Sequence, residues 1–80
     1  MIMKQTKEQR HYPIYADKPY GNNLWAIKAE LGLSNIRLEV LSGITSTTIA
    51  RMVRGDIPIN DERRRKLERA TGYRVEVYYK

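Results

Sequence analysis

The side chains of this sequence that could do chemistry are cations and hydrogen-bond donors rather than nucleophiles or metal ligands. There is a single histidine, His11, and no cysteine. No glycine-rich loop precedes a helical stretch. A nucleophilic triad, a metal cluster or a phosphate-cradling loop each needs groups that this set does not supply. No enzymatic activity, cofactor or metal is therefore expected. What remains is charge and short polar groups. Fifteen Lys and Arg stand against nine Asp and Glu, a net +6, which draws a protein toward polyanions.

The elements that must position these groups have to be built from 80 residues. That is room for one domain, which buries about 60% of its unfolded surface. With no cysteine, packing alone must hold it, and nothing points to an oxidising compartment. The opening stretch carries Lys4, Lys7 and Arg10 without an apolar run behind them, so neither a signal peptide nor a membrane span is expected and the expected location is cytoplasmic.

Three segments are expected: a basic N-terminal arm over 1–21, a helical domain over 22–72, and a strand for pairing or dimerisation over 73–80. The arm is punctuated by Pro13, Pro19 and Gly21, with Tyr12 to Tyr15 as a short extended piece. Helical periodicity begins after Asn22 or Asn23, either of which can cap it, with Leu24, Ile27 and Leu31 on one face and Gly32 as the stop. Ser34 caps a second helix bearing Leu38 and Leu41 and ended by Gly43. Thr45 caps a third, whose buried face is Ile49 and Met52, closed by Gly55. A fourth runs from Asn60 or Asp61 to Gly72 on a thin apolar face, Leu67 and Ala70. The tail alternates Tyr73, Val75, Val77 and Tyr79 with polar residues and Tyr78, the period of a half-buried strand. Its partner is either the Tyr12 to Tyr15 segment or the same strand of a second copy. Trp25 is expected to plug the first helix into the core.

The stretch Gly32-Leu33-Ser34-Asn35 through Leu38, Leu41, Ser42-Gly43-Ile44-Thr45-Ser46-Thr47-Thr48-Ile49 to Arg54-Gly55 resembles the phage repressor and Cro-like helix-turn-helix family. The match runs without a gap over about 24 residues, with flanking helices in the family order. The resemblance implies a mainly α, four- to five-helix, lambda-repressor-like domain with a short C-terminal β-strand. It further implies a prokaryotic or phage transcription regulator, repressor or Cro-like, that binds a double-stranded DNA operator as a homodimer. Its recognition helix, Ser46 to Arg54, would lie in the major groove. Mapped onto this chain, the resemblance implies that Ser46, Thr47 and Arg51 are the base-reading residues. An arginine can donate two parallel hydrogen bonds to guanine O6 and N7, whereas hydroxyl side chains read bases weakly or touch thymine methyls. The alternative for Arg51 is a solvated or phosphate-bound cation. Asn35, Thr45, Thr48 and Arg54 are the contacts to the sugar-phosphate backbone.

Two other functions fit the same residues: an antitoxin that represses its own operon, and an adaptor that uses the fold to bind an acidic protein. The sequence also departs from the family. Glu39 stands where a small residue is usual, so either its stem snorkels outward with the carboxylate in water or the two helices pack slightly differently here. Ile36 and Val40 form an apolar strip where the family is polar, covered either by the Tyr12 to Tyr20 arm or by a partner protein, or simply exposed. The run Arg63, Arg64, Arg65, Lys66 and Arg69 could seat on phosphates, but the simpler expectation is a solvated face with a few ion pairs. His11 is expected to be a surface residue.

Overall fold

The computed structural model of the chain describes Met3, Lys4 and residues 18–79. Among them lie four helices: α1 (Leu24–Leu31), α2 (Asn35–Ser42), α3 (Ser46–Val53) and α4 (Asp61–Thr71). The protein is mainly helical, and none of these helices is long and apolar enough to cross a membrane.

Local chemistry starts three of the helices as expected. The Ser34, Thr45 and Asn60 side chains accept from the backbone N–H of Arg37, Thr48 and Arg63 at the heads of α2, α3 and α4. Each such cap contributes about 1 kcal/mol. Helix α2 ends where Gly43 takes a φ of +80° and its N–H closes on the Glu39 carbonyl at 2.8 Å. A Cβ there would meet no atom within 4 Å, so the glycine serves the left-handed turn rather than a close contact. Gly55 is different. Its φ is +77°, and a Cβ would also stand 2.8 Å from Lys18 Cβ.

Helix α1 begins differently. Asn23 occupies the cap position without a side-chain cap bond, and Asn22 instead accepts from Leu24 N at 2.8 Å. Both asparagines are buried and link distant segments. Asn22 Nδ2 donates to the Tyr20 and Met52 carbonyls at 3.0 and 2.8 Å. Asn23 Nδ2 donates to the Arg74 carbonyl at 3.0 Å, and its Oδ1 accepts from Glu76 N at 2.7 Å. Buried amides are tolerated because their hydrogen-bonding groups find partners.

The core joins Leu24 and Ile27 of α1, Leu38 of α2, and Ile49 and Met52 of α3 with Ile44, Ile59, Leu67, Tyr73 and Val75. The expected apolar stripes are narrower than periodicity suggests. Leu31 and Leu41 are 40% and 44% exposed, and Ala70 is half-buried. Helices of about two turns bring only one or two side chains each to a shared centre. Trp25 is half-buried and stands outside the core, with Ala26 buried beside it.

The tail keeps the expected alternation, Tyr73 and Val75 buried against exposed Arg74 and Tyr78, but no strand forms among the described residues. Two isolated bridges replace it, Lys4 with Tyr73 in parallel and Asn22 with Val77 antiparallel. The second cannot extend into a ladder, because the Asn23 carbonyl already accepts from Ala26 and Ile27 as α1 begins. Tyr79 anchors the end: its hydroxyl accepts from Ile59 N at 2.8 Å, and its ring meets Tyr20 edge-on at 5.2 Å. The expected partner Tyr12 to Tyr15 lies outside the described residues, as do His11, Lys7 and Arg10.

Candidate functional site

Helices α2 and α3 pack together across Gly43, Ile44 and Thr45. Ile44 and Ile49 enter the core beside Leu38, so three aliphatic side chains set how the two helices meet. Ser42 reinforces the turn, its Oγ donating to the Leu38 carbonyl at 2.7 Å and accepting from Ile44 N at 3.2 Å. Of the two alternatives for Glu39, the outward one does not occur: the residue is half-buried, and its Oε1 accepts from Ser46 N at 2.6 Å. The carboxylate caps the positive end of α3 and ties α2 to it, which is why a longer residue fits where a small one was expected.

This arrangement opens a cleft of about 590 Å³ between the start of α2 and one face of α3. From α2 come Asn35 and Ile36, with Ser34 just before them. From α3 come Ser46, Thr47, Ala50 and Arg51, with Arg54 at its end. Five of the seven site residues expected from sequence therefore share one surface: Asn35, Ser46, Thr47, Arg51 and Arg54. Thr45 and Thr48 do not line the cleft. Their hydroxyls bond each other at 2.9 Å at the head of α3, with Thr45 as donor, so the Thr48 hydroxyl proton is left for another acceptor. Ser34, Ile36 and Ala50 were not assigned to the site from sequence. For Ala50 alone spacing gave a signal, since it stands between Ser46 and Arg54 at steps of four.

The cleft is cationic, with no Asp or Glu among its lining residues. Arg51 is exposed, and its side chain makes no hydrogen bond or ion pair among the described residues. Arg54 is held: its Nε donates to Asp56 Oδ2 at 3.0 Å, leaving the two terminal NH₂ groups for another acceptor. Lys18 Nζ lies 3.4 Å from the other oxygen of Asp56. The Arg54 hydrogen bond and the charge of Lys18 hold the Asp56 carboxyl below its ordinary range. Asn35 Oδ1 accepts from Lys28 Nζ, which leaves the amide NH₂ as donor toward a ligand. Partial burial pushes Lys28 down from the ordinary lysine range.

Outside the cleft, Ile36 and Val40 are 70% and 69% exposed. The described part of the arm does not cover them. Lys18 pairs with Asp56, and Tyr20 N donates to the Gly55 carbonyl at 3.1 Å. The rest of the arm is outside the described residues. On α4, Arg64 and Lys66 pair with Asp61 and Glu62 at 3.4 and 4.0 Å, all of them solvated, and pairs of this kind contribute little.

Compared with family models, curated proteins and solved structures, the chain matches none of them. What the cleft can do must be judged from its own residues.

Proposed function

We propose that this chain is a sequence-specific double-stranded DNA-binding transcription regulator of the helix-turn-helix type, with α2, the Gly43 turn and α3 as the motif. One observation carries the reading: the acid-free cleft gathers Ser46, Thr47 and Arg51, whose side chains make no hydrogen bond among the described residues, beside Asn35 and Arg54. A duplex presents base-edge acceptors flanked by two rows of phosphates, and this surface offers a guanidinium and hydroxyls flanked by further donors. Arg51 reads a guanine, and Ser46 and Thr47 contact neighbouring base edges. Asn35, Arg54, and Thr45 with Thr48 at the helix head hold phosphates and set the register. One helix end reads only a few base pairs, so two copies a helical turn apart supply the affinity, and the working form is a homodimer in the cytoplasm.

The test is selection of bound sequences from random duplexes, followed by a salt series on the selected site. The expected product is a palindrome with half-sites about 10 base pairs apart. With about six phosphates neutralised, affinity should fall about 10³-fold between roughly 50 and 200 mM salt. Weak binding without any enriched sequence would refute the reading and leave a basic surface for an acidic protein in its place.

A further inference from the structure

The geometry points to Ile36, on α2, as a base-contacting residue that reads the 5-methyl group of a thymine beside the guanine bound by Arg51. This inference rests on the DNA-binding reading above. Ile36 is 70% exposed, yet it is not an isolated surface aliphatic: it lines the same cleft as Thr47, Ala50 and Arg51. Val40, one turn further along α2 and equally exposed, does not line it. The cleft thus combines an apolar wall with a cationic donor and carries no acid.

That combination selects its ligand. The ligand must be anionic, must present acceptors to a guanidinium and must carry a compact apolar knob within the same recess. In the major groove the thymine methyl is the one apolar group among acceptors and donors, and it lies beside the acceptor face of neighbouring bases. An aliphatic residue left in water gains by covering such a methyl, since about one carbon's worth of apolar surface leaves water on each side. Ile36 reaches the cleft from α2, so recognition is shared between both helices rather than confined to α3.

The experiment uses the full chain and the duplex enriched by selection, with each thymine of a half-site replaced in turn by deoxyuridine, which removes only the methyl. At one position the wild-type protein should lose about fourfold in affinity. The Ile36→Ala protein should bind the thymine duplex about that much more weakly and should be insensitive to deoxyuridine at that position. Because Ile36 is exposed, Ile36→Ala should melt with the wild type, and Ile36→Val provides an intermediate loss if it does not. A deoxyuridine penalty that persists unchanged in Ile36→Ala and Ile36→Val, or the absence of any penalty in the wild type, overturns the assignment while leaving DNA recognition by α3 intact. Failure to enrich any duplex overturns both.

Discussion

Two groups of polar side chains, at most some thirty residues apart in the chain, meet opposite fates. Asn22 and Asn23 are buried, and their amides join Tyr20, Met52, Leu24, Arg74 and Glu76 into one body. Ser46, Thr47 and Arg51 stand in a cleft with side chains that make no hydrogen bond among the described residues. Residue type does not separate Asn22 and Asn23 from Ser46 and Thr47, because asparagine, serine and threonine are all short hydrogen-bonding residues. What separates them is whether the chain itself satisfies them. A buried amide bonded on both sides serves the fold, since leaving its partners unmet is costly. Exposed donors gathered in a recess without an acid are open to an outside acceptor.

If that division holds, the largest effect should come from the buried side. Asn22→Ala leaves the Met52 carbonyl and Leu24 N without that partner and should destabilise the protein by about 2–4 kcal/mol in denaturant titration. The surviving folded fraction should still prefer the same duplex. A change of preferred sequence would break the division. Next comes Arg51→Ala, which should cost about 1–3 kcal/mol of discrimination between the selected duplex and random DNA, with stability within about 0.5 kcal/mol of wild type. Arg54→Ala is the control, weakening both duplexes alike and lowering the salt slope by about one. Matched losses for the two arginine variants would remove Arg51 from base reading.

Glu39 sits on the border between the groups, facing inward to cap the helix that carries the cleft. Glu39→Ala should cost about 1 kcal/mol of stability, and Glu39→Gln, which keeps an acceptor oxygen, should recover most of it. A melt in which Glu39→Ala equals wild type would mean that the bond to Ser46 holds nothing. The smallest effect is expected at Val40. Val40→Ser, on the exposed side of α2 and outside the cleft, should change stability and DNA affinity by less than about 0.5 kcal/mol. A drop in oligomer mass for this variant in light scattering would place a protein contact on that face.

Legibility in the sequence followed the range of the interaction. Ser34, Thr45 and Asn60 act on backbone three residues away, and Gly43 acts on its own φ, so the starts of α2 to α4 and the turn between α2 and α3 could be read along the chain. The cleft could be read in part: the resemblance picked out Ser46, Thr47 and Arg51, and Thr47 and Arg51 stand one helical turn apart. Ile36 was visible as an odd apolar residue, but its neighbours in the cleft belong to another helix, and spacing within α2 says nothing of them. The same limit hid the inward turn of Glu39, whose bond crosses from α2 to α3.

By itself, then, the sequence determined four short helices, the caps of α2 to α4, a left-handed turn at Gly43, an alternating tail and a cationic surface, because each depends on local backbone preference or on summed charge. Tertiary structure alone decided the rest. It set the asparagines to tying the tail and α3 to the start of α1, and limited the tail to single bridges where α1 begins too soon for a ladder. It also brought Ile36 and Arg51 to one recess. Those outcomes depend on which segments meet, and the packing of a small core around Leu38, Ile44, Ile49 and Met52 decides which do.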